Sequence, residues 1–336
     1  MKKIYYFKKD LRNVTEYYYG IILSSLKKAG YETVELENFD RRKRPAIEKD
    51  SYILATDLLD FFVLYLYGYR KFVYWFQGIS PEEHYLIKKS KWKYWLLSYC
   101  ERLALKKVKY RIGVSKYLFE HYNVKYHMNI NLLDVFIMPC YNTELQELNF
   151  FTPDKYQNKI FCYAGGVQKW QGFEEIVAIY QQIEMKHDDV FLKIYSKQLD
   201  EAKEIISKYS LKHYSVDCVP QDEVDKSLAD CMFGFIIRND SVINNVATPT
   251  KLATYVGNGV IPIYTGTIHA YKDLSDKYQY LCCIKDEYDI EPIEDLLNKK
   301  VDGTILLKEY EKLFNDYFNT ENYIKDLSRF FQNERR

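Results

Sequence analysis

Three stretches of the 336-residue chain carry residue types whose spacing could do chemistry, and two of them ask for an anion. In the first, Phe161-Cys162-Tyr163-Ala164 runs into Gly165-Gly166, a polar turn and a helical pattern with apolar residues at 173, 176, 177, 180 and 183. Adjacent glycines let backbone N–H groups approach a ligand closely, and the N-terminus of a following helix favours negative charge. Taken alone, the stretch also reads as a tight strand-to-helix turn without a ligand. It is neither a Walker A loop nor a G-x-G-x-x-G fingerprint. In the second stretch, an apolar strand ends at Arg238 and a polar loop leads to Thr248-Pro249, a good N-cap and N1 pair. Lys251 then falls in the first turn of a helix, where a cation opposes the dipole. At helical spacing Lys251, Thr254 and Asn258 share one face, while Leu252, Tyr255 and Val256 face the core. A solvated face tolerates such a lysine. Combined with Arg238 and the glycine turn, an anionic ligand explains it better, and a diphosphate fits best.

The third stretch, Lys88–Arg111, holds nine basic residues and a single acid, Glu101. Trp92, Trp95, Leu96, Tyr99 and Leu103 form an apolar stripe at helical spacing. One reading packs that stripe on a sheet and leaves a solvated basic face. The other is contact with an anionic membrane surface. Other candidates are weaker. Asp57 and Asp60 suit the start of a helix, since first-turn acids complement the dipole. Glu82 and Glu83 follow Pro81 and can cap a helix. His84, His121 and His127 belong to no nucleophile–base arrangement, and no carboxylate pair has clear metal-ligand spacing.

The elements that must position these residues alternate. Strands are expected at Ile4–Phe7, Thr33–Leu36, Tyr52–Ala55, Phe72–Phe76, Arg111–Val114 and Val135–Met138, with a first helix from about Asn13 to Ala29 closed by Gly30. After a polar stretch at 142–158 the alternation restarts, with strands at Lys159–Tyr163, Val190–Tyr195, Ser215–Val219, Met232–Ile237 and Val260–Tyr264. A long helical pattern over Thr304–Phe331 is broken near Asn319-Thr320. Such alternation implies right-handed crossovers and a mostly parallel sheet in each half.

Composition narrows the classes further. Lysine plus arginine (48) nearly balances aspartate plus glutamate (47), so a dedicated nucleic-acid binder is not expected. Seven scattered cysteines without a C-x-x-C pair read as reduced thiols of a cytosolic protein. The opening MKKIYYFKKD lacks an apolar signal-peptide core, and the apolar run Leu58–Tyr69 is too short to span a bilayer.

The second half resembles the nucleotide-sugar domain of retaining glycosyltransferases of family 4, of the bacterial polysaccharide-biosynthesis type. The matching phrases are YAGGVQKWQG (163–172), CVPQDEV (218–224), ADCMFGFIIR (229–238) and ATPTKLATYVGNGVIPI (247–263), in the family's order. YWFQGISPEE (74–83), GVSKYLFEHY (113–122) and IMPCYN (137–142) extend the likeness to the first half. The resemblance implies an α/β GT-B fold, two Rossmann-like domains with mostly parallel sheets facing a central cleft. Residues 1–145 would form the acceptor domain and 146–318 the donor domain, with 319–336 returning to the first. It implies transfer, with retention, from a nucleotide-diphosphate sugar to a glycan or lipid-linked acceptor, without a metal or other cofactor.

Arg238 and Lys251 are then the expected catalytic pair. Gly165, Gly166, Lys169, Asn244, Thr248, Pro249 and Thr254 are expected around the donor, with Val219 and Pro220 near its base. Gln77, Gly78 and Glu82 are expected on the acceptor side. A protein of this kind works in the cytoplasm, peripheral to the inner face of the plasma membrane. The chain departs from the family at Val246 and Thr254, where glutamates are common, and at Gly166, Gln171 and Gln77. Two alternatives share the fold: a sugar-nucleotide 2-epimerase and a non-catalytic nucleotide-sugar-binding homologue.

Overall fold

The computed structural model describes residues 2–8, 14–37 and 39–333. Asn13, the expected start of the first helix, and residues 334–336 of the C-terminal segment lie outside them. By contacts the chain divides into two compact units: Met1–Asn142 with Val246–Thr248 and Asn319–Arg336, and Thr143–Asn245 with Pro249–Phe318.

The first unit holds a six-stranded sheet of β1 (Lys2–Phe7), β2 (Tyr31–Leu36), β3 (Tyr52–Ala55), β4 (Phe72–Phe76), β5 (Tyr110–Gly113) and β6 (Val135–Ile137). Its spatial order is β2-β1-β3-β4-β5-β6, and every pairing is parallel. The helices between are α1 (Val14–Lys28), α2 (Leu58–Leu66), α3 (Ser80–Lys88), α4 (Lys91–Lys107) and α5 (Lys116–Tyr126). The second unit repeats the plan with β7 (Ile160–Ala164), β8 (Phe191–Tyr195), β9 (Tyr214–Asp217), β10 (Phe233–Ile236), β11 (Ile261–Thr265) and β12 (Cys282–Ile284). Their order is β12-β11-β10-β7-β8-β9, again all parallel. The remaining helices are α6 (Phe173–Glu184), α7 (Leu199–Ile206), α8 (Val224–Ser227), α9 (Val242–Val246), α10 (Lys251–Gly257), α11 (His269–Ser275), α12 (Glu291–Leu297), α13 (Gly303–Tyr317) and α14 (Thr320–Gln332).

Helices on both faces bury the central strands completely, which is why β4, β10 and β11 read as unbroken apolar or aromatic runs instead of alternating. The short β12 pairs with β11 at the sheet edge and was not anticipated; two adjacent cysteines are a weak strand signal. The expected break in the C-terminal helical pattern falls at Asn319, whose side chain caps α14 by accepting the Asn322 N–H. Within the first unit α14 packs on α1, and Tyr110 donates its hydroxyl hydrogen to the Phe331 carbonyl at 2.8 Å.

Of the stripe that one reading packs on a sheet, Trp92, Trp95 and Tyr99 are turned outward, and Leu96 and Leu103 are half-buried. Trp92, Trp95 and Tyr99 are 73, 70 and 60% exposed, while Leu97, Ser98, Cys100, Glu101, Ala104 and Leu105 form the buried side. The buried stripe mixes small and polar residues, so hydrophobicity alone chose the wrong face. Glu101 is tolerated inside because Lys125 and the Tyr126 hydroxyl donate to it at 2.9 and 2.6 Å.

Candidate functional site

The second sheet changes direction between β7 and β10. Strands β8 and β9 are added on one side of β7, and β10 to β12 on the other. Chains leaving the carboxyl ends of such neighbours part in opposite directions, and the crevice between them is where open sheets bind ligands. Gly165 follows β7 and Arg238 lies two residues past β10, so the first two stretches meet at this point.

The β7–β10 ladder registers Phe161 with Phe233 and Cys162 with Gly234. Past it, the phenol of Tyr255 bridges the parting strands. It accepts the Ala164 N–H at 3.0 Å and donates to the Phe235 carbonyl at 3.4 Å. Gly234 makes the room, since a Cβ there would stand 2.7 Å from the Tyr255 ring. Tyr255 thereby fixes α10, and with it Lys251 one turn earlier.

Lys251 Nζ lies 4.1 Å from the centroid of the Tyr163 ring and donates to Gln171 Oε1 at 3.0 Å. A Cβ on Gly165 would collide with that ammonium group. The Tyr163 hydroxyl donates to the Gly166 carbonyl, which holds the glycine turn. Arg238 is buried; its Nη1 donates to the Trp170 carbonyl at 2.9 Å, and its Nε has no partner among the described residues. The Arg238 backbone is clamped, with its N–H given to Thr265 Oγ1 and its carbonyl accepting from the Thr265 and Thr267 hydroxyls. Gly172 lets the loop come this close. Its φ is 65°, and a Cβ would sit 2.5 Å from the Ile237 carbonyl oxygen.

The electrostatics follow from burial. Loss of solvent pushes the Lys251 ammonium well below the usual lysine range, and the neighbouring Arg238 charge pushes it the same way. Burial also lowers Arg238. Among the described residues neither cation has a carboxylate partner; their hydrogen-bond acceptors are a carbonyl and a carboxamide. Two neighbouring like charges, Arg238 buried and Lys251 half-buried, cost free energy without a counter-ion, and an anion beside them would offset that cost.

The other expected residues are placed as follows. Thr248 is not the N-cap. Helix α10 begins at Lys251 after Thr250, which caps nothing with its side chain, and the buried Thr248 hydroxyl instead accepts the Cys140 N–H at 3.1 Å. The Pro249 carbonyl accepts the Tyr271 hydroxyl. Asn244 is buried and donates to the Asn239 carbonyl at 2.9 Å, shaping the loop after Arg238. The Thr254 hydroxyl turns back to the Thr250 carbonyl within the helix. Lys169 is exposed, and Val219 and Pro220 lie in the loop after β9. None of these three bonds to the Arg238 or Lys251 side chain among the described residues. Sequence reasoning missed Tyr163, Gln171 and Tyr255 as site residues. The first two lie inside the YAGGVQKWQG phrase; Tyr255 lies inside ATPTKLATYVGNGVIPI but read only as core-facing.

A separate cavity of about 880 Å³ belongs to the first unit, at the carboxyl ends of β3 and β4. Asp57, Gln77, Gly78, Glu83, Lys93 and Glu101 contribute its polar lining. Asp57 caps α2 by accepting the Asp60 N–H at 2.8 Å and pairs with Arg41, another lining residue. Of the three residues expected on the acceptor side, Gln77 and Gly78 line this cavity and Glu82 does not. Glu82 points to Lys125, 2.7 Å away, and to His121. Burial would raise its carboxyl, but the His121 and Lys125 contacts outweigh that and hold it below the usual range. Glu83 takes its place: it accepts the Ile79 N–H at 3.2 Å, and burial pushes its carboxyl up. By capping-box spacing Glu82, three residues past the Ile79 N-cap, would reach back to that N–H; Lys125 and His121 hold it instead, and Glu83 accepts the bond.

No protein-family model matches the sequence, and no curated protein matches it. Solved structures do. Sucrose-phosphate synthase from Thermosynechococcus elongatus aligns with a TM-score of 0.68 and 12% identity, over 99% of this chain and 98% of that one. Anabaena HepE, solved in complex with UDP and glucose, aligns at 0.68 and 10%, over 99% and 100%. A variant of S. aureus TarM in complex with fondaparinux, alpha-GlcNAc-glycerol and UDP aligns at 0.59 and 11%, over 84% of this chain; the match spans 55% of TarM. At these identities the likeness establishes the fold, α/β of the GT-B type with two parallel Rossmann-like sheets.

Proposed function

We propose that the protein is a GT-B glycosyltransferase of the retaining family 4 type that moves a sugar from a nucleotide-diphosphate donor to a glycan or lipid-linked acceptor. The observation that carries this reading is the pair of cations, buried Arg238 and half-buried Lys251, set beside the Gly165-Gly166 turn with only neutral hydrogen-bond acceptors among the described residues. A donor diphosphate supplies the missing counter-charge. Arginine offers a planar fork to phosphate oxygens and lysine a compact point charge. Breaking the anomeric C–O bond leaves negative charge on the departing diphosphate, so attraction from both side chains grows toward the transition state. With two cations at the leaving group, the step as proposed uses no bound metal.

The first-unit cavity, with Gln77 and Gly78 in its lining, is the proposed acceptor site. HepE and TarM were both solved with UDP, which makes UDP the first nucleotide to try. A surface-polysaccharide acceptor carried on a lipid would set the protein at work on the cytoplasmic side, at the inner face of the plasma membrane. The test is a thermal-shift series with UDP, GDP, ADP and their sugars, because a ligand of the native state raises stability by RT ln(1 + [L]/Kd). One diphosphate nucleotide should stabilise the protein, and the corresponding sugar should be transferred or slowly hydrolysed. No stabilisation by any of them would end this reading; product analysis separates transfer from 2-epimerisation.

A further inference from the structure

We propose that the outer face of α4 docks on an anionic bilayer surface, with the rim of the neighbouring cavity brought to that surface; the use of that cavity for an acceptor rests on the transferase reading above. Trp92, Trp95, Tyr99, Arg102 and Lys106 recur every three or four residues and all point outward. Two tryptophans at 73 and 70% exposure are an unusual investment of apolar area in a water-facing helix. Beside them Lys88, Lys89 and Lys91 are exposed, and the segment's only acid, Glu101, is buried against Lys125 and Tyr126. The surface of this segment is therefore aromatic and cationic, without a balancing carboxylate of its own.

That chemistry matches anionic headgroups, where indole rings sit at the polar–apolar boundary and lysines meet lipid charge. A second copy in an isologous contact would oppose this basic face with the same basic face, which charge disfavours. Among the described residues no helix is long and apolar enough to cross a membrane, so the contact is a surface one. The cavity shares a wall with it: Ile87, 56% exposed at the end of α3, and Lys93 and Leu97 of α4 all line the cavity.

The experiment is flotation of the intact protein with vesicles of phosphatidylcholine alone or of phosphatidylcholine with one third phosphatidylglycerol, read together with tryptophan quenching by brominated lipids. Binding should need the anionic lipid and should weaken by about tenfold or more as salt screens the surface. The double variant Trp92→Ser, Trp95→Ser and the triple variant Lys88→Glu, Lys89→Glu, Lys91→Glu should each lose binding by roughly tenfold or more. Both should keep their stabilisation by UDP, since the proposed donor residues lie elsewhere. Ile87→Glu should also weaken binding; unchanged binding would separate the cavity rim from the bilayer and overturn that half of the proposal. Equal binding to both vesicles, no binding, or self-association that the tryptophan variant abolishes would overturn the docking itself. Vesicle binding without any nucleotide effect would instead sink the transferase reading and leave the surface contact standing.

Discussion

Lys251 stands over the ring of Tyr163, its Nζ 4.1 Å from the centroid, in space that Gly165 leaves open by having no side chain. The aromatic face attracts the ammonium form, against the burial and the Arg238 charge that disfavour it, and a bound anion would favour that form further. Arg238 enters from the neighbouring strand with its backbone clamped by Thr265.

Arg238→Ala and Lys251→Ala should stay folded and each lose roughly 10²–10³ in turnover, about 3–4 kcal/mol of transition-state stabilisation. Arg238→Lys should restore little, because a point charge cannot reproduce the fork. Lys272→Ala, on the exposed side of α11, is the control and should be nearly silent. Initial rates with the true donor check this, and wild-type turnover in both cleft variants would mean the diphosphate lies elsewhere.

Gly172→Ala should destabilise the fold by about 2 kcal/mol or more, through a positive φ and a Cβ pressed on the Ile237 carbonyl. Any folded fraction should bind donor weakly, since the loop that brings Trp170 to Arg238 has moved. Thermal unfolding and nucleotide titration read the two effects separately.

Lys155 gives a pH signature. It is 1% exposed and donates to the Asn258 and Asn149 carbonyls at 2.5 and 3.0 Å, at the C-terminal end of α10. Burial depresses its ammonium from the ordinary 10.5 to about 8. Between those values the unfolded chain binds more protons than the native one, so this group makes stability rise with pH across that window. The gain should total about 3 kcal/mol relative to Lys155→Met, in which it is absent. Urea unfolding of both proteins from pH 7 to 10.5 measures the difference, and parallel curves would refute it.

Glu82 and Gln77 should separate cleanly. Glu82→Gln should lower stability by about 1–2 kcal/mol, because Lys125 loses one of its two carboxylate partners in a half-buried place and keeps only Glu101. Gln77→Ala should raise acceptor KM and leave UDP stabilisation untouched, as expected of a cavity-lining side chain. Steady-state kinetics with varied acceptor, set beside melting curves, distinguish a structural glutamate from an acceptor contact.

Much of this was legible in the linear sequence because it is local. Strand–helix alternation, the glycine turn after β7 and the break at Asn319 each depend on a few consecutive residues and a fixed period. Strand-end placement joined Arg238, Lys251 and the glycine turn as one anion site, and the motif phrases gave the same pair by resemblance. Tertiary structure decided what depends on distant partners. Thr248 looks like a cap in sequence, yet its hydroxyl is taken by Cys140. Glu82 and Glu83 are indistinguishable as letters, and only Lys125 and the Ile79 N–H sort them. The tryptophan stripe of α4 has the period of a buried face, but which side of an amphipathic helix is covered is settled by what packs beside it; here Leu97, Ala104 and the paired Glu101 fit the interior, and Trp92 and Trp95 are left outside. Tyr255 shows the same limit. Nothing in its neighbourhood tells that its hydroxyl will bridge two strands that part at the switch point, because that gap exists only once β7 and β10 lie side by side.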